Sequence, residues 1–597
     1  MGPESRKDSA RLRNRGTSGV DCIRIADTLA YYATVVGTAM GRAIRERNTN
    51  HLLSHARAAV ARDELDMLST YSHSNSAHAG RLPLGYLRPY RRKSTPALLA
   101  AGCAGLLALT GCSFAPRIVL PALPTNAYTR APAPRMTVSA AGPAGQAQRF
   151  EYGASPSAEW WRQFDSPELD TLIRQALTNN PGLAQQQARL RQAQAAMAAA
   201  AGIFYPQVSG NLGASRQKTS AASFGGSFPG KTYSLYSGGL AVSYYPDFFG
   251  VNRLVYKGEQ AQVDYQRYEL DAVRLTLIGN VAAAAISAAS VQAQIVATRA
   301  IIAHEKRLLE LTETQYRFGA VPYLSVLTQR SQVAASEASL PSLEQQWAVY
   351  RHELAILVGE LPAQWRDRSP HMSAVRLPGR IPVSLPSTLL QQRPDIRAAE
   401  AQLRYADAEI GVAKAQMYPA VTLSAEFGQE STAPGAFVHA ASNIWSVAGD
   451  LVMPIFEGGT LEAQKREAVA SYQATFAAYR QTVLGAFQQV ADALRALEHD
   501  AQRLRAEQRS LAATRAALRL SETSYREGAV DYLSLLTAEV QYSNARLGYI
   551  QAQAQRYLDT VSLFVALGGS WRESAVAATA PHPAATRRAS SGMAEEN

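Results

Sequence analysis

Residues 525–537 read YREGAVDYLSLLT, and residues 316–328, 209 positions earlier, read YRFGAVPYLSVLT. Ten of the thirteen positions are identical, so one chain carries the same device twice. Gly319 and Gly528 suit the left-handed position that ends a helix, and Pro322 and Asp531 suit the start of the next. Each segment therefore predicts a helix-to-helix reversal.

Other landmarks repeat at similar spacing. Asn180-Pro181 matches Arg393-Pro394 and Tyr205-Pro206 matches Tyr418-Pro419, both 213 positions apart. Phe248-Phe249-Gly250 is matched to Phe456-Glu457-Gly458 at 208, and Gly359 to Gly568 at 209. A period near 210 residues is far longer than any solenoid unit. Each unit reads as a helix ending at a Tyr-Pro, two alternating segments, a helix of about 65 to 70 residues, the reversal, and a return helix of about 35. At 1.5 Å per residue the long helix extends ~100 Å, beyond the diameter of a compact domain.

The alternating segments read as strands. Over 420–428, Val421, Leu423, Ala425 and Phe427 take one face and Thr422, Ser424, Glu426 and Gly428 the other. Over 444–453, Trp445, Val447, Leu451 and Met453 oppose Ser446, Ala448 and Asp450. In the first unit Tyr236, Leu240, Val242 and Tyr244 oppose Ser237, Gly239 and Ser243. One apolar face and one small or polar face suit a barrel with lipid outside and water inside. Two strands per unit give four per chain, whereas lipid-facing strands must close and barrels of this kind need about eight or more. Several copies must cooperate, and three would supply about twelve strands.

The long helices carry a packing stripe, Tyr472, Phe476, Tyr479, Val483, Phe487, Val490 and Leu494, at intervals averaging about 3.67 residues. Such residues are read as core. Ala-rich stretches such as Val281–Ala289 are read as helix contacts and not membrane spans, because Ser and Gln interrupt them.

The formal charge of +12 is concentrated at the start of the chain. Residues 1–111 hold 16 Lys and Arg against 8 Asp and Glu, which leaves the rest of the chain near neutrality and removes the case for nucleic-acid binding. Within this leader, Arg88, Arg91, Arg92 and Lys93 precede an apolar stretch from Ala97 to Leu109 and the tetrapeptide Leu109-Thr110-Gly111-Cys112. The apolar stretch is too short to span a bilayer, so a secretory signal is preferred. The tetrapeptide resembles the lipobox of bacterial lipoproteins, which implies a lipid on Cys112; Ser113 after it favours the outer membrane. The other cysteines, Cys22 and Cys103, fall in the removed segment, so no disulfide is expected.

The expected organisation is an N-terminal extension (1–85), disordered or preceding the true start; a lipoprotein signal peptide (86–111); a lipidated Pro/Ala-rich tether (112–158); repeat 1 (159–359); a linker (360–390); repeat 2 (391–572); and a disordered tail (573–597). Folded structure is expected to begin at Glu159-Trp160-Trp161, where Ser166 and Pro167 open a helix.

The motifs together resemble the TolC/OprM-like outer-membrane efflux proteins, in particular the NodT-type lipoproteins. The residues carrying the likeness are the lipobox, Trp160-Trp161 with Phe164 and Asp165, Arg393-Pro394-Asp395-Ile396 leading to Ala399-Glu400, Tyr418-Pro419, Phe456-Glu457-Gly458-Gly459 and the two Tyr-Arg-x-Gly segments. The resemblance covers about residues 112–572. It implies a mixed α/β membrane protein: a homotrimeric twelve-stranded outer-membrane β-barrel, continuous with a long periplasmic α-helical barrel. It further implies an exit duct, not an enzyme, working with a periplasmic adaptor and an inner-membrane efflux transporter, and no cofactor beyond the lipid on Cys112.

In the family the reversals form the periplasmic tip, where the tunnel narrows and the adaptor docks. Tyr316, Arg317, Gly319, Tyr525, Arg526, Glu527, Gly528, Asp531, Thr537 and Glu539 are thereby candidate tip residues. Phe318 and Pro322 of the first copy become Glu527 and Asp531 in the second, so only the second tip is acidic. Thr537 stands where relatives often carry the Asp of an acidic ring. Asp531, Glu527 or Glu539 can supply that charge, or Asp531 simply caps the helix that follows.

No enzymatic constellation is visible: the histidines after Cys112 are scattered, and there is no metal-ligand spacing, phosphate loop or nucleophile elbow. The alternative reading is a passive diffusion porin, against which the length of the helical hairpins speaks.

Overall fold

The computed structural model describes residues 127–129, 135–220, 222 and 230–569. Cys112, the signal peptide, the N-terminal extension and the C-terminal tail lie outside them. The chain divides at Cys112, and the unit that follows it contains every element named below.

Strand β1 (Arg149–Tyr152) leads to a tight 3-10 turn, Trp160–Phe164, and to helices α1 (Pro167–Asn179) and α2 (Pro181–Ala201). Strands β2 (Gln207–Lys218) and β3 (Thr232–Tyr244), long helix α3 (Val251–Arg317) and return helix α4 (Tyr323–Leu357) complete the first repeat. Strand β4 (Arg380–Val383) and helix α5 (Pro386–Gln392) precede the second: α6 (Pro394–Ala415), β5 (Ala420–Ser431), β6 (Asn443–Val452), α7 (Thr460–Arg526) and α8 (Tyr532–Ala566). The two long helices have 67 residues each and the two return helices 35 each.

Helix boundaries follow local chemistry. Ser166 Oγ and Asn180 Oδ1 accept the backbone N–H of Leu169 and Leu183, and a proline follows each cap. Gly250 and Gly459 precede the long helices with φ of +82° and +88°, a region that favours glycine. The sequence reading matched Gly250 to Gly458. The structure corrects this by one residue, since the equivalent cap is Gly459 and the offset of 209 holds from there to the end of the return helix.

The four long strands form one antiparallel sheet in the order β2-β3-β5-β6. Leu240, Phe427 and Trp445 lie in register, as do Val208, Val242, Ala425 and Val447. Neighbouring rows are small or polar: Ser243, Ser424 and Ala448, then Ala241, Glu426 and Ser446. The apolar rows are uncovered, with Leu212 at 88% and Trp445 at 74% exposure. β2 and β6 are the edges, and no other strand among the described residues pairs with them.

The core lies where α1, α3, α4, α7 and α8 meet. Trp160 stacks on Phe564 at 5.2 Å between ring centres, and Phe164 packs edge-on against the same ring. Trp161 Nε1 donates to Asp170 at 2.9 Å, whereas Trp160 Nε1 is buried without a hydrogen-bond partner among the described residues and is held by ring packing. Arg393 Nη1 donates to Ala566 O at 2.8 Å and its Nη2 pairs with Asp395 at 2.6 Å. The Arg-Pro-Asp motif thereby closes the end of α8. An apolar window of α3 has the length and composition of a bilayer-crossing helix, but Val281, Ala282, Ala285, Ile286 and Ala288 are wholly buried in this core.

The expectation that folded structure begins at Glu159 is corrected. β1 pairs in parallel with β4, Phe150 beside Ile381, and Gln148 and Phe150 are buried. Part of the expected tether and part of the expected linker thus form one small sheet. Arg556, fully buried on α8, holds it by donating to Ala144 O at 2.5 Å and to Thr137 Oγ1 and Gln146 O at 2.9 Å. Burial lowers the Arg556 guanidinium to about 10.

Candidate functional site at the helical tip

Both reversals end their long helix in the same way. Gly319 N donates to Tyr316 O at 2.9 Å and Ala320 N to Gln315 O at 2.8 Å; Gly528 N donates to Tyr525 O at 3.1 Å and Ala529 N to Ser524 O at 2.8 Å. This is the Schellman pattern, which needs a left-handed residue, and Gly319 and Gly528 have φ of +71° and +74°. The next helix starts differently in each copy. Asp531 Oδ1 accepts Ser534 N at 2.9 Å, whereas Pro322 offers no side-chain cap. The Ser534 contacts hold the Asp531 carboxyl below its usual range.

The near-identical copies meet different surroundings. Tyr316 and Tyr323 are 44% and 47% exposed and pack on each other with centroids 5.2 Å apart. Their counterparts Tyr525 and Tyr532 are 7% and 9% exposed. Tyr525 Oη donates to Gln315 at 2.6 Å and Tyr532 Oη to Gln329. Both acceptors sit on the first hairpin, so these bonds tie the two hairpins together just behind the turns. Burial raises both phenols.

Arg317, Arg526, Glu527 and Thr537 are exposed. Arg317 Nη2 donates to Thr314 Oγ1 at 3.0 Å, and Thr537 Oγ1 to Leu533 O at 2.8 Å. Glu539 is 1% exposed and lines a cleft of about 310 Å³ between α3, α7 and α8. Burial, with Glu305 and Glu522 nearby, pushes its carboxyl up to about 8. The structure thus brings Tyr525, Asp531 and Glu539 to one end of the second hairpin, and keeps Glu539 inside it.

Four participants were not singled out in the sequence: Gln315, Gln329, His304 and Glu305. His304 Nε2 lies 3.2 Å from Glu522 Oε1 and 3.7 Å from Glu539 Oε1. Glu305, fully buried, accepts at Oε1 from Gln332 at 3.0 Å and Ser336 at 2.9 Å. Burial is also the main reason its carboxyl is raised. No pattern along the sequence marks these partners, because they meet the tip residues from the opposite hairpin.

An uncovered apolar sheet, carried on two hairpins whose long helices have 67 residues each and whose tips are tied by tyrosines, has the form of a membrane-inserted protein with a long helical extension. Residues 172–360 and 385–569 match the family described as outer membrane efflux protein, and the chain belongs to that family. It is 35% identical over 429 residues to the pyoverdine export outer membrane protein OpmQ of Pseudomonas putida, covering 70% of this chain and 89% of that protein. The cation efflux system protein CusC of Escherichia coli O6:H1 is 29% identical, covering 80% of this chain and all of CusC. The solved outer-membrane channel OprN superposes with a TM-score of 0.68 at 30% identity, covering 74% of this chain and 99% of that one. The protein is an outer-membrane efflux channel.

Proposed function

We propose that three copies join edge to edge, β2 of one against β6 of the next, into a twelve-stranded barrel continued by a barrel of helices into the periplasm. The observation that carries this reading is the open four-stranded sheet with its exposed apolar rows. A bilayer interior satisfies no open edge, and one chain is too small to close. The exposed pair Tyr316 and Tyr323 at the side of the first hairpin then faces a neighbouring copy. The duct is gated at the tips, docks a periplasmic adaptor there and receives substrate from an inner-membrane transporter. The protein itself performs no chemistry.

Cys112 carries the acyl anchor in this reading, and the segment up to β1 links anchor to body. The exported compound is selected by the transporter, so pyoverdine and cations, which the relatives' names give for those proteins, mark the range from siderophore to metal ion.

The test is functional replacement. A strain lacking its outer-membrane channel is given this protein together with the adaptor and the inner-membrane transporter of a related efflux system. Restored export of their substrate, dependent on all three, supports the duct. Export, or steady conductance in a planar bilayer, that is independent of adaptor and transporter would favour a porin instead.

A further inference from the structure

The two hairpins differ at one more pair of positions. At the offset of 209, Glu539 matches Arg330 and Glu522 matches Glu313. In the first hairpin those positions form an ion pair, Arg330 Nη2 to Glu313 Oε1 at 2.7 Å, roughly half exposed. In the second the arginine is replaced by a glutamate, so the same two helix positions bring two carboxyls together. Packing against α3 then buries one of them: neither oxygen of Glu539 has a hydrogen-bond partner among the described residues.

We infer that Glu539 is a proton-held latch of the tip: the closed packing of α7–α8 against α3 takes Glu539 as the neutral acid, and release of the hairpin accompanies its ionisation. The latch rests on the reading of the tips as a gate only for its consequence on flow.

The surroundings favour the neutral form. An ionised carboxylate without hydrogen bonds is costly to bury, and the usual response is to take up a proton. From α3, Glu539 faces Glu305 and His304; from α7, Glu522, Arg515 and Arg519; from α8 itself, Arg546 and Tyr532. His304 stands closer to Glu522 than to Glu539, and the three arginines line the cleft without a hydrogen bond to Glu539. Behind Glu305 stand Gln332, Ser336 and Glu337.

Position gives the latch its leverage. Tyr532, two helical turns before Glu539, donates to Gln329, and Gln329 Nε2 donates to Glu305 O at 3.2 Å. A charge on Glu539 therefore develops against Glu305, beside one of the two bonds that join the hairpins.

The direction with pH follows from linkage. The closed tip holds the Glu539 proton up to about pH 8, whereas an opened tip exposes the carboxyl and returns it to roughly 4.3. Between those limits the closed state binds one more proton than the open one. Opening thus becomes easier as pH rises, by up to about tenfold per pH unit per chain, and levels off outside that window.

The experiment is hydrogen–deuterium exchange of the full-length acylated protein in nanodiscs, with chelator present, from pH 5.5 to 8.5. Protection factors for residues 522–542 are corrected for intrinsic exchange and compared with those of Glu539→Gln and His304→Gln. The latch predicts that wild-type protection falls with pH, that His304→Gln retains the fall, and that Glu539→Gln stays protected throughout. Wild-type protection independent of pH, or a pH dependence that survives in Glu539→Gln or vanishes in His304→Gln, overturns it. Conductance recorded on the same variants separates the two readings. Protection that follows pH without any change in conductance keeps the latch and rejects the tip as the gate.

Discussion

Tyr316 and Tyr525 hold matching positions in nearly identical segments, and the surroundings alone separate them: one is exposed and the other bonds Gln315 across the hairpin junction. Replacing Tyr525 by Phe removes that bond at a cost of about 1 kcal/mol and should raise leak conductance, while Tyr316→Phe in the isolated chain costs nothing at this junction. Gly528→Ala forces a side chain into φ of +74°, and should cost about 1 kcal/mol locally, read as faster exchange at the second tip. Asp531 behaves as a cap whose carboxyl is held below its ordinary value. Its contribution is present above the ordinary carboxylate range and is lost as pH falls through the depressed value. Asp531→Asn should keep the cap and Asp531→Ala should lose it, which chemical-shift or exchange data on residues 532–535 would register. Cys112→Ala belongs to the same scale. The mature wild-type protein is expected to begin at an acylated Cys112 and the variant to lose the lipid, as intact-mass spectrometry will show. An N-terminus upstream of Cys112 in the wild type contradicts the anchor.

At the scale of elements, the strands are legible because period-two alternation runs through Val421, Leu423, Ala425 and Phe427, and the register then lines these up with Val447 and Trp445. The consequence is directional. Val447→Arg on the apolar row should destabilise the inserted barrel by ~2–4 kcal/mol if it lies at mid-membrane, whereas Ser446→Arg on the other face should leave insertion intact and alter conductance. Urea titration in lipid distinguishes the two. The hairpin lengths were equally legible, since the repeat fixes both ends by glycines. The β1–β4 sheet was not. Four residues carry too little pattern, and β1 finds its partner 231 positions later, Arg149 beside Arg380. Glu539 illustrates the same limit at the tip. Its sequence neighbours give no hint of burial, because His304 and Glu305, which close its cleft on the α3 side, lie more than 200 residues away, opposite the groups that α7 supplies.

At the scale of the whole molecule, the sheet and the hairpins make a single demand. The apolar rows need lipid, the edges need partners, and the helical pairs need neighbours along their outer stripes. Reversing charge at Arg526 or Asp531 should change pump coupling or leak conductance while leaving assembly intact, since both side chains are exposed at the far end of the hairpins. Unchanged drug susceptibility together with unchanged single-channel conductance would remove the tip from the gating account. The central claim concerns closure. Cryo-electron microscopy of the purified full-length protein in lipid addresses it most directly. The account predicts three chains about one axis, with β2 of each hydrogen-bonded to β6 of the next and six helical hairpins converging at one end. A sheet that closes within one chain, or a ring of any other number of copies, would contradict it.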